Sequence, residues 1–435
     1  MLNLWNSRRK FTCDGATRRD FLRVGALGMG AFFLPDLLRA RARAAAEGQA
    51  TKNTSVIWLW LGGGPTQVET FDPKMSAPVE YRSTVGAVKT NVPGVELGGV
   101  FPKMARVADK MAFVRSFAHT NSGHGGGTHW VMTGFDYPPA DNNEAPIRPS
   151  MGAVLARIRG ANNPQTGLPT YVRVNGIYGD GPAWLGPAYA PFDSSGDSRN
   201  NMNLRLTLDK LSERRSLLKT FDTINRRIDG KGLLSGLDSF ESQAFDLIRS
   251  RAREVFDVQR EDPRTRDRFG PGLGEQLLLA RRLCEAGVGF VTIHHGGWDM
   301  HGQIADNMKQ LAPQVDHAVA ALVDDLHGRG LEREILLVIT GEFGRTPRIN
   351  PSAGRDHWAP LSTLALAGGG LKMGQVVGQS SEKAEVPKTT PITPQDLMAT
   401  VFQVLGIPLD QHFLDTTGRP TPMIDGGKPI AELIA

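Results

Sequence analysis

Seven of the ten histidines in this 435-residue chain fall in polar clusters that also hold carboxylates, hydroxyls and arginines. Thr66, Glu69 and Asp72 follow the run Gly62-Gly63-Gly64-Pro65. His119, Thr120, Asn121, Ser122, His124 and His129 form a second group, and His294, His295, Asp299 and His301 a third. Thr340, Glu342 and Arg345 lead on to Arg355, Asp356 and His357. Imidazoles beside carboxylates are what a divalent metal needs: nitrogen ligands suit zinc, and carboxylates suit harder ions such as manganese or magnesium. Asp299 and His301 are two residues apart and can turn toward one point, with His357 joining from a later loop. Arg345 or Arg355 would grip an oxyanion through a bidentate fork. A lone histidine is more often a hydrogen-bonded structural residue; it is the clustering that points to a site. The glycine run lacks the Lys and Ser/Thr of a P-loop and gives no nucleotide site. Gly125-Gly126-Gly127 before Thr128 would open a helix whose amides could receive an anion.

Such clusters need a frame that brings them together. Residues 55–61, Ser-Val-Ile-Trp-Leu-Trp-Leu, form a continuous apolar run that stops at the glycines, the pattern of a strand buried on both faces. Similar strands are expected at 111–117, 169–175, 289–294, 334–339 and 361–367, with helices near 102–108, 275–286 and 312–326. Alternation of helix and strand predicts an α/β fold, a three-layer α/β/α sandwich around a mostly parallel sheet. Ligands of such sheets sit beyond the carboxyl ends of the strands, where the polar clusters fall. Residues 181–203 read as a loop, and the charged stretch 204–268 reads as a helical insertion without a strand.

The first 46 residues stand apart. Thr17-Arg18-Arg19-Asp20-Phe21-Leu22 precedes a short, glycine-diluted apolar stretch and then Ala42, Ala44, Ala45 and Ala46. Charged region, apolar core and small-residue site describe a twin-arginine export signal, to be excluded from the fold of residues 47–435. The apolar stretch falls short of the ~20 residues that a membrane helix needs, and no later segment offers a stable span. Residues 1–46 hold nine Lys or Arg against three Asp or Glu; the whole chain is +5, so the remainder is close to −1. That remainder has no basic footprint for nucleic acid. Cys284 is the lone cysteine after the signal, so no internal disulfide can form there.

The motifs resemble a known family. Gly63-Gly64-Pro65-Thr66-Gln67-Val68-Glu69-Thr70-Phe71-Asp72-Pro73-Lys74 is similar to the opening signature of the bacterial domain of unknown function number 1501. Val114-Arg115-Ser116 with His119 and His124, Thr133-Gly134, Gly296-Gly297-Trp298-Asp299-Met300-His301, Gly341-Glu342-Phe343-Gly344-Arg345-Thr346-Pro347 and Gly354-Arg355-Asp356-His357-Trp358 follow in that family's order. The family is similar to the alkaline phosphatase and sulfatase superfamily of metal-dependent phospho- and sulfo-hydrolases. The resemblance implies an alkaline-phosphatase-like fold and metal ligands among Asp299, His301, His357, Glu342, Asp72 and His124. Three departures bear on function. Phe343 stands where a metal-binding His is usual. Glycine replaces the Asp after the first strand, so Glu69 or Asp72 would have to reach in. The Cys-x-Pro-Ser-Arg motif of sulfatases is absent, leaving Thr120 and Ser122 as the available hydroxyl nucleophiles.

The expectation is therefore a periplasmic or secreted protein that hydrolyses phosphate or sulfate esters with a divalent metal: zinc, or alternatively manganese, magnesium or calcium. Its partners would be a small anionic ester or polysaccharide and, during export, the twin-arginine translocase. The rival is a non-catalytic periplasmic binding or surface-assembly protein that keeps the fold and part of the metal site. Replacing Arg18 and Arg19 by Lys preserves charge but removes a receptor-read feature. The double variant should therefore stay in the cytoplasm; a normal periplasmic yield in fractionated cells would rule out the twin-arginine reading.

Overall fold

The apolar run at 55–61 becomes β1 (Ser55–Leu61), and its two faces feed two different cores. Ile57, Leu59 and Leu61 pack into one, while Val56, Trp58 and Trp60 pack into the other. Successive strand side chains point to opposite faces, so a strand apolar at every position must be covered on both sides. The computed structural model describes residues 54–136, 146–194, 210, 244, 247 and 252–434, all within the unit formed by residues 52–226 and 234–435. The proposed signal, residues 1–46, lies outside the described residues.

The other strands of the main sheet are β2 (Met111–Val114), β3 (Tyr171–Val174), β4 (Phe192–Asp193), β5 (Phe290–His295), β6 (Ile335–Thr340), β7 (Leu364–Gly368) and β8 (Gln375–Val377). Their order is β8-β2-β7-β6-β1-β5-β3-β4. Every neighbouring pair is parallel except those made by β7, which runs antiparallel to both β2 and β6. The helices include α1 (His124–Thr133), α2 (Met151–Arg159), α3 (Leu273–Glu285), α4 (Ile304–Arg329) and α5 (Pro394–Leu405). Leu277 of α3 and Val319 of α4 pack on the face of Ile57, whereas Val131 of α1, Val154 of α2 and Val401 of α5 pack on the face of Trp58. The result is the expected three-layer α/β/α sandwich.

Some elements differ from expectation. The helix expected from Ala312 starts at Ile304 and runs through Pro313. Proline normally marks a first turn, but Ile304 and Met308 are buried one turn apart and hold the earlier turns to the core. Part of the stretch read as loop supplies β4, a two-residue edge strand beside β3. Within the proposed insertion the described elements are the helices Ala252–Phe256, Val258–Arg260 and Pro263–Phe269.

Glu261 fastens that helical segment to α3 and α4. It accepts hydrogen bonds from Arg282 Nη1 (2.9 Å), Arg281 Nη2 (2.7 Å) and Arg329 Nη2 (3.0 Å). Burial alone would raise its carboxyl pKa; the three guanidiniums outweigh that and hold it at about 2. A depressed carboxyl stabilises the fold above its ordinary range, and that contribution fades as pH falls through the folded value. Glu261→Gln should thus cost about 2 kcal/mol near neutrality. Urea midpoints of variant and wild type should converge as the pH drops from the ordinary carboxyl range toward about 2, and a pH-independent gap would refute the assignment.

Candidate metal centre

The strand directions decide what meets at the sheet edge. β1, β2, β5 and β6 are mutually parallel, so their carboxyl ends share one edge, and antiparallel β7 brings its amino end there as well. Gly62–Gly64 leave β1, Asp299 and His301 follow β5, and Glu342 follows β6. His124 opens α1 after β2, and His357 enters before β7. Five segments distant in sequence are thus delivered to one place.

His124, Asp299 and His357 each present a ligand atom within 4.8 Å of the others. His357 Nε2 lies 3.1 Å from Asp299 Oδ1, and His301 Nε2 lies 3.0 Å from that oxygen and 3.1 Å from His357 Nε2. His124 Nε2 stands 3.5 Å from Asp299 Oδ2. Hydrogen bonds behind the rings fix how these atoms are presented. His357 Nδ1–H donates to the Ser122 carbonyl (3.0 Å), His301 Nδ1–H to Asp356 Oδ1 (2.7 Å) and His124 Nδ1–H to Glu342 Oε1 (2.7 Å). Each neutral ring therefore keeps its proton on Nδ1 and turns its Nε2 lone pair inward. Lone pairs facing a carboxylate at 3.0–3.1 Å repel one another unless a cation or proton sits among them. Donors bound to one tetrahedral zinc stand about 3.3 Å apart, given bond lengths near 2.0–2.1 Å. The donor set and its spacing fit a divalent ion.

Electrostatics act on these donors unequally. Burial would raise the Asp299 pKa, but the hydrogen bond from Arg345 and nearby positive charge hold it at about 2. The Glu342 hydrogen bond raises the pKa of His124, and burial lowers that of His357. Gly63 lets the chain pass close by: its φ is +117°, and a Cβ there would stand 2.3 Å from the backbone nitrogen of Asp299.

Other expected site residues have different partners. Asp72 is buried against Lys74 Nζ (3.1 Å) and Arg115 Nε (3.4 Å) and accepts a hydrogen bond from Ser380. Glu69 is engaged by Arg355, Thr66 and Thr84, so neither carboxylate supplies what glycine removed after β1. Arg355 Nε and Nη2 each donate to Glu69 at 2.9 Å, and its other donors go to the carbonyls of Arg82, Thr346 and Pro347. This guanidinium has no fork left for an oxyanion. Arg345, equally buried, clamps the carbonyls of Gly63, Gly64 and Arg355 together with Asp299. Glu342 stands behind His124, its Oε1 also accepting the Gly63 N–H at 2.9 Å, while its buried Oε2 has no hydrogen-bond partner among the described residues. Ser122 contributes its carbonyl to His357, while its Oγ accepts the Ala359 N–H at 3.0 Å. Thr120 is exposed. His119 and His129 are buried, and burial lowers the pKa of the former to about 4. Asp356 had no role assigned from sequence; its position beside His357 was the available signal.

A family model described as "Protein of unknown function (DUF1501)" matches residues 53–434. The chain belongs to the DUF1501 family. None of the curated proteins matches this DUF1501 chain. Among solved structures it is similar to the PsFucS1 sulfatase from Pseudoalteromonas sp., at 14% identity and a TM-score of 0.40, covering 87% of this chain and 73% of that one. It is also similar to a phosphonate monoester hydrolase, SpPMH, from Silicibacter pomeroyi, at 14% identity and a TM-score of 0.33, covering 82% and 74%. A third is a protein in the alkaline phosphatase superfamily from Vibrio parahaemolyticus, at 10% identity and a TM-score of 0.39, covering 88% and 71%.

The separation between framework and centre is open to test. Glu69→Ala strands a fully buried guanidinium, so it should lower unfolding stability by about 3–5 kcal/mol. A denaturation midpoint within error of wild type would contradict the assignment of this pair to the framework.

Proposed function

We propose that this DUF1501 protein is an exported, metal-dependent hydrolase of phosphate or sulfate esters. One observation carries the reading: three imidazoles with their protons held outward turn Nε2 toward a single carboxylate, Asp299. His301, His357 and Asp299 would hold a divalent ion, with His124 beside them, and zinc suits a histidine-rich set. Such an ion supplies a Lewis acid for an ester oxygen and makes water acidic enough to attack near neutral pH. The chain's own part is to fix these donors and to offer the amino end of α1, whose helical N–H groups favour an anion. The substrate would be a small anionic ester or a polysaccharide bearing one, met in the periplasm after export by the twin-arginine translocase.

Phe343 favours a second reading. Its ring centroid lies 4.3 Å from that of His357 and 5.0 Å from that of His124, an apolar wall where the resembled enzymes have another histidine. A single ion without a partner fits a non-catalytic binding or surface-assembly protein that keeps the fold.

Metal per chain and the unfolding midpoint, with and without chelator, test the shared premise. Zinc at 100-fold excess over Kd should add about 2.7 kcal/mol to wild-type stability, and His357→Ala should lose both the ion and that increment. Turnover of aryl phosphates or aryl sulfates by the zinc-loaded protein would establish the hydrolase; tight zinc without turnover would select the binding protein. Equal metal content in wild type and His357→Ala, with no chelator effect on either, would refute both.

A further inference from the structure

The geometry points to Asp356 as a positioning residue that fixes the tautomer and aim of His301, and through it the affinity of the metal centre. This inference rests on the metal reading above. His301 is half exposed, so packing alone does not hold its ring; its Nδ1–H donates to Asp356 Oδ1 at 2.7 Å. Free imidazole in water has no such restraint and exchanges its proton between the two nitrogens. Asp356 is itself held from several directions. Its oxygen accepts Asn350 Nδ2–H at 3.2 Å, its N–H donates to Thr346 Oγ1 at 3.0 Å, and its carbonyl accepts the Thr346 N–H at 2.8 Å.

The loop that bears Asp356 is zipped to the segment that bears His301. Asn350 Nδ2 donates to the His301 carbonyl (3.0 Å), Arg355 N–H to the Met300 carbonyl (3.1 Å) and Gln303 N–H to the Ser352 carbonyl (3.0 Å). Gly354 permits that approach, because a Cβ there would stand 2.1 Å from the His301 carbonyl carbon. These bonds place one carboxylate against one ring nitrogen and leave His301 Nε2 aimed at Asp299 and His357. Orienting carboxylates of this kind typically contribute 10–100-fold to metal affinity.

Two variants separate positioning from simple charge. Asp356→Ala removes acceptor and charge; Asp356→Asn removes the charge and keeps an acceptor oxygen. Nitrogen-15 spectra of the zinc-free protein, at a pH where imidazoles are neutral, report the His301 tautomer directly. The wild type and Asp356→Asn should hold the Nδ1–H form and Asp356→Ala should lose it. Competition against a chromogenic chelator should show zinc affinity about 10–100-fold weaker in Asp356→Ala and largely restored in Asp356→Asn. Equal tautomer and affinity in wild type and Asp356→Ala would overturn the inference, as would Asp356→Asn behaving like Asp356→Ala in both measurements. A wild type that takes up no zinc would overturn the metal reading instead, and the tautomer measurement would still judge Asp356.

Discussion

Arg345 is buried completely, and its guanidinium ties together three loops that the sheet alone would leave independent. Nε donates to the Gly64 carbonyl and Nη1 to that of Arg355, both at 2.9 Å, while Nη2 reaches the Gly63 carbonyl and Asp299. Gln67 holds the arginine backbone from both sides, accepting its N–H at 2.9 Å and donating to its carbonyl at 2.8 Å. Taking a guanidinium out of water costs several kcal/mol unless its donors are matched. Here matching them requires the loops after β1, β5 and β6 to adopt one arrangement. Asp299 Oδ1, which accepts from that cation, is also the oxygen that His301 and His357 face.

Two classes of charge therefore coexist at this edge. Glu69 with Arg355, and Arg345 with its carbonyls, are sealed from solvent and define the backbone. The ring cluster of His124, His301 and His357 lies partly open to solvent. The sealed pairs resist substitution because an unpaired buried charge is costly, whereas the open cluster keeps contact with water. Residues of the same chemical type thus do different work according to burial. Glu69 and Asp356 are both carboxylates beside the centre, yet one holds the framework and the other faces His301.

The antiparallel strand β7 has a direct consequence for this centre. A fully parallel sheet would send the segment before β7 to the opposite edge. Because β7 reverses, His357 at its amino end joins residues from the carboxyl ends of β1, β5 and β6. A short pairing of His357 with Arg345, and of Trp358 with Gly344, then sets the register of the two loops.

Much of this was legible in sequence. The buried runs at 55–61, 289–294 and 334–339 could be read because strands covered on both faces need apolar residues at every position, and the DUF1501 motifs gave the family and the order of the polar clusters. Asp299, His301, His357 and His124 stood out because a metal limits ligands to a few side-chain types. Burial and direction were not legible, since residue type records neither. Arg355 and Asp72 read as site residues by type and prove to be internal partners; Asp356 lay beside a chosen ligand without a role. The sequence by itself determined the layers, the strand cores and the chemical inventory of the edge, because those follow from local periodicity and side-chain chemistry. Tertiary structure alone decided which arginines are sealed, which ring nitrogens turn inward and which acceptor stands behind each histidine, because those depend on contacts between segments tens to hundreds of residues apart.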